Sequence, residues 1–148
     1  MENILISPNF YLSDLTISDY AVRNNLLNLP LTEDVECLKV LAANVIEILN
    51  AKIGPIHINS AYRSPSVNSA IGGAQNSQHC KGQAADITKP GWSAVALYAA
   101  IQSISPDWDQ LILEFDAWVH CSFVKIGNRR EKWRADKING KTIYTKIV

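Results

Sequence analysis

The segment from Ser77 to Ile87 constrains the fold of this chain more than any other. It reads Ser-Gln-His-Cys-Lys-Gly-Gln-Ala-Ala-Asp-Ile, so a glycine separates His79 from Asp86. The chain has only 3 histidines, and another of them, His120, ends the segment Glu-Phe-Asp-Ala-Trp-Val-His. A loop that turns at the glycine and returns as a strand can bring His79 and Asp86 together. His120 must then reach them from a different strand of the same sheet.

Two histidines and an aspartate are suitable ligands for zinc. A catalytic zinc site commonly has three protein ligands and leaves one coordination position for water. We therefore predict that His79, Asp86 and His120 bind one Zn²⁺ ion. The spacing from His79 to Asp86 is not that of the helical HExxH motif, so a helix-borne zincin is excluded. On spacing alone, the same three residues also fit polar side chains that are satisfied by loop hydrogen bonds.

Hydrolysis at such a site needs a general base, and two acidic residues are candidates. If Phe115, Asp116 and Ala117 form the turn of a hairpin, Glu114 pairs with Trp118 and shares a face with His120. A two-residue turn would place Glu114 on the opposite face and would favour Asp116 instead. The choice between the two carboxylates therefore depends on the strand register.

Apolar spacing predicts two main helices. Residues 32–51 carry apolar side chains at intervals of three and four, and we expect Thr32 to be the N-cap. Residues 94–104 repeat the pattern and stop before a proline. Shorter helices are predicted at 18–25 and 66–71.

Alternating or apolar runs predict the strands of a sheet. They lie at 56–62, 83–87, 110–115 and 118–124, and Asn139-Gly140 predicts one more hairpin in the tail. Helices and strands in this order indicate an α+β fold with a mainly antiparallel sheet backed by helices. We expect one domain, residues 1–148, with the site in a groove on one side.

Composition excludes several classes of function. Basic and acidic residues number 14 each, so the formal net charge is zero and gives no argument for nucleic-acid or membrane binding. The late basic run is interrupted by acids and is interpreted as a solvated face: Lys125, Arg129, Arg130, Lys132 and Arg134. The 3 cysteines include no CxxC pair, so no disulfide framework is expected. Because no signal peptide is evident, we expect synthesis in the cytoplasm.

Four ordered motifs resemble the M15 family of zinc peptidases, most closely its peptidoglycan D-alanyl-D-alanine carboxypeptidase-like branch, which includes phage endolysins. The resemblance runs from about residue 9 to about residue 123, most of the chain. The motifs are Ser60-Ala-Tyr-Arg63-Ser-Pro65, Asn68-Ser-Ala-Ile-Gly72-Gly73, Ser77-Gln-His79-x-x-Gly82-x-Ala84-x-Asp86 and Trp118-Val-His120-x-Ser122-Phe.

The resemblance implies a role for each matching residue. Zinc would be held by the same three ligands, Arg63 would bind substrate and steady the oxyanion, and Ser77 would line the substrate groove. We also expect Trp118 to contact substrate. The signalling domain of hedgehog proteins has a similar zinc arrangement with a glutamate six positions before the last histidine, which supports Glu114 as base. Many family members carry an acid three positions before that histidine, where this chain has Ala117.

These implications predict a zinc metallopeptidase that cuts a peptidoglycan stem peptide, as a D-Ala-D-Ala carboxypeptidase or as an L-Ala-D-Glu-type endopeptidase. The protein would be a monomer with no nucleic-acid or membrane partner, and a phage lysis system would release it to the cell wall. Ala117 keeps one alternative open, a catalytically weak module that binds the cell wall, or a virion, and keeps zinc for stability. The cysteines beside the two histidines, Cys80 and Cys121, are interpreted as small buried residues, with a ligand role as the alternative.

Overall fold

A six-stranded sheet organises the chain in the computed structural model, which describes residues 2–148. Met1, the first residue of the predicted 1–148 domain, lies outside the described residues. The strand order of this sheet is β3-β4-β6-β5-β7-β8, and β1 and β2 form a small separate sheet. The strands are β1 (Leu5–Ser7), β2 (Phe10–Tyr11), β3 (His57–Ser60), β4 (Ala84–Thr88), β5 (Gln110–Glu114), β6 (Trp118–Ser122), β7 (Glu131–Ile138) and β8 (Lys141–Ile147).

The helices supply the core that covers one face of the large sheet. They are α1 (Leu12–Thr16), α2 (Asp19–Arg23), α3 (Thr32–Leu41), α4 (Glu47–Ile53), α5 (Pro65–Ala70) and α6 (Ala94–Ile104), with a π-helical turn at Ala42–Ile46 and a 3₁₀ turn at Gln78–Lys81. The π turn joins α3 directly to α4, so the predicted helix over 32–51 is continuous and runs to Ile53.

The predicted cap of the first main helix is wrong, and the second main helix has a serine cap. Helix α3 begins at Thr32 itself, and its N-cap is Leu31, because the Asp34 carboxylate accepts a 2.9 Å hydrogen bond from the Leu31 amide. An acidic side chain in the first turn therefore does what Thr32 was expected to do. In α6, Ser93 caps the helix through a 3.1 Å bond from the Ala96 amide.

Sheet register divides the side chains of the central strands between two faces. Neighbours along a strand point to opposite sides, and directly paired residues share a side. Ala85, Leu111 and Cys121 form one such row and belong to the core. Asp86 pairs with His120, and His120 pairs with Ile112, so these residues lie together on the other face. That face is where the candidate site forms.

The α+β class and the mainly antiparallel sheet are confirmed, with one parallel pair between β5 and β7. The tail hairpin also forms as predicted. Asn139 and Gly140 both have positive φ, 50° and 76°, as a two-residue turn that matches strand twist requires. Within residues 2–148, no helix combines the length and apolar character needed to span a bilayer.

Candidate metal centre and active site

The three predicted ligands converge on the open face of the sheet. Asp86 and His120 are direct partners on β4 and β6, and the Asp86 Oδ1 atom lies 3.1 Å from His120 Nδ1. The same oxygen lies 3.3 Å from His79 Nε2. All three side chains are buried, with 4–8% of each residue exposed. Residues that are distant in sequence therefore share one small volume.

The loop that delivers His79 depends on a serine and a glycine. The Ser77 hydroxyl accepts a 3.3 Å hydrogen bond from the His79 amide and starts the 3₁₀ turn. Gly82 ends that turn with φ of +66°, and a Cβ there would lie 2.4 Å from the Asp34 carbonyl oxygen of α3. Only glycine fits both the positive φ and the contact with the helix, so the turn predicted between His79 and Asp86 is sterically required.

The spacing of the donor atoms fits a divalent metal ion. Ligands about 2.1 Å from a tetrahedral zinc ion are separated from one another by about 3.4 Å. The observed 3.1 and 3.3 Å separations from Asp86 Oδ1 are close to that value. One donor atom from each of the three residues lies within 4.8 Å of the others. Two imidazoles and one carboxylate form the mixed nitrogen and oxygen set expected of a metal centre.

Neighbouring groups orient these ligands. The Ala61 carbonyl lies 2.7 Å from His79 Nδ1 and accepts its proton, which leaves the Nε2 lone pair directed towards Asp86. Burial alone would raise the pKa of Asp86, but the adjacent His79 and His120 outweigh burial and hold that pKa well below its usual value. Asp86 is therefore anionic over the whole physiological pH range, the state in which a carboxylate can bind a metal ion.

The hairpin register places Glu114 beside the cluster. Glu114 pairs with Trp118, and Phe115, Asp116 and Ala117 form the turn, as the first of the two predicted registers requires. Glu114 Oε1 lies 3.8 Å from His120 Nδ1. Burial, with the nearby Asp86 carboxylate, raises the pKa of Glu114. Asp116 instead lies at the exposed tip and forms a 2.9 Å salt bridge with Arg134.

Arg63 enters the cluster from the loop after β3. One guanidinium nitrogen lies 3.9 Å from Asp86 Oδ2, and another donates a 3.0 Å hydrogen bond to Asn68 Oδ1. The Arg63 amide donates to the His79 carbonyl at 3.1 Å, so the arginine and the ligand loop are tied together. Asn68 also donates to the Ala74 carbonyl at 2.8 Å. The guanidinium is thus held in a fixed orientation at the cluster.

Comparison with known proteins agrees with this geometry. A family profile described as Peptidase M15 matches residues 8–122. The chain belongs to the peptidase M15 family. A search of curated proteins returned no match. The M15 match contains all three residues of the metal-competent cluster together with Arg63 and Glu114, and it ends at the last residue of β6.

The metal-competent cluster of His79, Asp86 and His120 opens into a groove of about 730 Å³. Ser77 and Trp118, both predicted to contact substrate, line the groove. Trp133 of β7 and Tyr144 of β8 line it too, although both lie beyond the M15 match. Sequence reasoning missed these two aromatic residues. The alternation of the predicted tail hairpin could have suggested that one of its faces continues the site.

A buried carboxylate next to the groove was also missed. Asp109, which is 2% exposed, accepts hydrogen bonds from Arg129 Nε at 3.0 Å and Arg129 Nη2 at 2.6 Å. It also accepts a 2.9 Å bond from the Gln78 side chain, in the turn that carries His79. Arg129 lines the groove, so its interpretation as part of a solvated face is incomplete. The sequence contained one signal for this residue, because Asp109 is an acidic residue directly before the apolar strand β5.

The cysteines next to the two histidines lie away from the donor atoms. Cys121 is 1% exposed and packs in the core on the opposite face of β6, where burial raises the pKa of its thiol to about 12. Cys80 is partly buried, and burial raises the pKa of its thiol as well. The metal-competent group found among residues 2–148 contains neither thiol. Cys121 is buried as predicted, whereas Cys80 is only partly buried.

Proposed function

We propose that this protein is a zinc-dependent metallopeptidase that hydrolyses a peptide bond in the stem peptides of peptidoglycan. The observation that carries the proposal is the position of His79, Asp86 and His120. Their donor atoms are at metal-ligand spacing in the wall of an open groove, in a chain that belongs to a peptidase family. Three protein ligands beside a groove leave room for solvent and substrate, as catalytic zinc sites do.

Each nearby side chain has a defined task in this reaction. A bound zinc ion supplies Lewis-acid chemistry, which polarises a carbonyl group and acidifies water. Glu114 accepts the proton of the attacking water and passes it to the leaving amine, a task suited to a partly desolvated carboxylate. Arg63 donates hydrogen bonds to the carbonyl oxygen as negative charge develops there. Ser77 and Trp118 contact the peptide on either side of the cluster.

Glu114 is favoured as the base over Asp116 by position. The Glu114 carboxylate faces the cluster, while the Asp116 carboxylate is half exposed and paired with Arg134 at the far side of the turn. Ala117, which replaces an acid found in many relatives, lies within the same turn. Glu114 is the acidic side chain next to the cluster that remains free to move a proton, because Asp86 is occupied as a ligand.

A second candidate function is a cell-wall-binding or virion module with little turnover. The substitution at Ala117 favours it, since the acid expected there is missing. The module would keep the metal for stability and would bind peptidoglycan without cutting it. We also propose that the protein acts as a monomer, released from the cytoplasm by a phage lysis system, because its substrate lies outside the membrane.

Digestion of purified peptidoglycan, followed by mass analysis of the soluble fragments, tests the proposal. We expect zinc-dependent release of one class of fragment, and its mass identifies the bond. Loss of a single terminal D-alanine would indicate a carboxypeptidase, whereas a free stem peptide cut near its glycan end would indicate an endopeptidase. Binding of peptidoglycan with no new amino or carboxyl termini would contradict the peptidase and support the module.

A further inference from the structure

The strand register divides the groove-lining face of the sheet into three rows of side chains. The middle row contains the ligands, because Asp86, His120, Ile112 and Trp133 are successive partners across β4, β6, β5 and β7. The row on one side of it contains Glu114 and its partner Trp118 on β6. This row continues on the other side of Glu114 through Ala135 of β7 to Tyr144 of β8. Two residues away on the other side of the middle row, about 7 Å along the strands, lies the row of Gln110. The two ends of the groove therefore have different chemistry.

The charged side chains that line the groove at its Gln110 end are both cations, although the Glu131 carboxylate lies beside them, bonded to Gln110 and Trp133. The charged residues that line the groove are Arg63, Lys81, Asp86, Glu114 and Arg129. Asp86, Glu114 and Arg63 surround the metal-competent cluster. The other two, Lys81 and Arg129, are both cations; they precede β4 and β7, which run in the same direction as β5, so they lie at the end of the sheet where β5 begins at Gln110. Outside the cluster, then, the groove offers cations and amides to a ligand.

Arg129 is built into this end of the groove. Buried Asp109 binds its Nε and Nη2 atoms, which fixes the plane of the guanidinium. The other terminal nitrogen, Nη1, lies 3.9 Å from Glu131 Oε2, beyond hydrogen-bonding distance. That Glu131 oxygen already accepts bonds from Gln110 at 3.2 Å and Trp133 at 2.9 Å. Arg129 therefore keeps N–H groups that can bind a ligand in the groove.

Lys81 precedes β4 whereas Arg129 precedes β7, so strands β6 and β5 lie between the two residues. Lys81 is the last residue of the 3₁₀ turn that carries His79, and it is exposed. Among the described residues, no carboxylate lies within salt-bridge distance of its ammonium group, whereas Arg129 is bound to Asp109. A mobile ammonium group and a fixed guanidinium that line one end of a groove are suited to a carboxylate.

We propose that Lys81 and Arg129 form an anion subsite that binds a free carboxylate on a substrate residue one or two positions from the scissile bond. The proposal rests on the proposed peptidase function and narrows its substrate class to acidic peptides. A row separation of about 7 Å equals about two residues of extended peptide, which sets this position. Arg129 lies outside the M15 match and Lys81 lies inside it, so the C-terminal segment of this chain contributes one of the two cations of the subsite.

Two synthetic stem-type peptides that differ in one group test the subsite. One carries the free carboxylate beside the scissile bond, and the other carries a carboxamide at that place. We expect the zinc-loaded protein to cleave the acid with a kcat/KM about tenfold or more above that of the amide. Lys81→Gln and Arg129→Gln should each reduce this ratio severalfold, mainly by slowing cleavage of the acid. The matched control is Lys132→Gln, which removes a cation from the opposite face of β7 and should leave the ratio unchanged.

Two additions keep the result interpretable. Arg129→Gln leaves Asp109 buried without its partner. The double variant Asp109→Asn/Arg129→Gln replaces the ion pair by two amides, so it should fold and show the same loss of preference.

Calorimetric binding of both peptides to zinc-loaded Glu114→Gln measures recognition without turnover. If no peptide is cut but the acid binds more tightly through Lys81 and Arg129, the peptidase proposal fails and the subsite stands. Equal affinity for acid and amide, or a preference that survives both substitutions, overturns the subsite whether or not cleavage occurs.

Discussion

Glu114 and Trp118 pair directly across the turn between β5 and β6, and this register brings the Glu114 carboxylate to 3.8 Å from His120 Nδ1. The turn holds Phe115 and Asp116 at positive φ, 55° and 52°. A turn one residue shorter would move Glu114 to the core face, because side chains alternate along a strand. The register of one hairpin thus determines which carboxylate stands beside the cluster.

Replacing Glu114 by glutamine should abolish most turnover while leaving the metal in place. The amide has nearly the same shape but cannot accept the proton of the attacking water. We expect kcat to fall by about 100-fold to 10,000-fold, the usual contribution of a general base. The measurement is the initial rate of stem-peptide cleavage at saturating substrate, with zinc content determined on the same samples.

Asp116→Asn is the matched control for that experiment. Its carboxylate is half exposed and binds Arg134, so its removal should change kcat by less than about twofold, as for an exposed ion pair. A large loss of rate in Asp116→Asn together with a small loss in Glu114→Gln would assign the base to Asp116 instead.

Gly73→Ala should impair Arg63 indirectly. A Cβ at Gly73 would lie 2.0 Å from Asn68 Oδ1, so the Asn68 side chain must rotate away and release the Arg63 guanidinium. We expect kcat/KM to fall about tenfold, equivalent to one lost hydrogen bond to a charged group, with zinc content unchanged.

Asn68→Ala removes the hydrogen bond to Arg63 directly and should give the same loss of kcat/KM. Gly91→Ala, where a Cβ meets nothing within 4 Å, strains the backbone at its φ of +80° and lowers stability, but it should leave kcat/KM of the folded protein unchanged. Normal activity in both Gly73→Ala and Asn68→Ala would show that Arg63 does not need this support.

Asp109 should make folding stability depend on pH in the acidic range. Its hydrogen bonds from Arg129 outweigh its burial and lower the pKa of Asp109 from 3.8 to about 2. Because the folded pKa is depressed, the stabilisation is complete above the unfolded value of 3.8 and is lost as pH falls towards 2. That shift corresponds to about 2 kcal/mol of unfolding free energy for this 3%-exposed side chain.

Urea unfolding of wild type and Asp109→Asn at several pH values measures this contribution. The difference in unfolding free energy should be about 2 kcal/mol near neutral pH and should shrink steadily below about pH 4. Asp107→Asn removes a half-exposed carboxylate nearby and should show a much smaller difference at every pH. A difference for Asp109→Asn that is independent of pH would contradict the assignment to its charge.

Local sequence patterns were sufficient for much of the fold. The apolar stripe of residues 32–51 predicted a helix that forms, and Asn139-Gly140 predicted a hairpin that forms with the expected positive φ values. These features depend on short-range spacing and on backbone sterics, which a single sequence contains. The convergence of His79, Asp86 and His120 also agrees with the prediction, but motif resemblance was needed to select them from other polar residues.

The parts that sequence did not predict are tertiary contacts. Asp109 binds Arg129 and Gln78 across 20 and 31 residues of chain, and no local pattern encodes such a pairing. Trp133 reaches the groove because β7 joins β5 in parallel, an arrangement that alternation within β7 could not reveal. Thr32 shows the same limit at short range, since the acidic side chain at Asp34 took over the capping role expected of it.

Metal content, measured by elemental analysis of protein purified without chelators, tests the central claim most directly. We predict about one zinc ion per chain in the wild type and a large loss in His120→Ala, because three ligands define the centre. Cys121→Ala, which alters the neighbouring residue on the core face, should retain its zinc. Wild-type protein that neither contains zinc nor takes it up when supplied, or a His120→Ala variant that binds zinc as well as wild type does, would contradict the account.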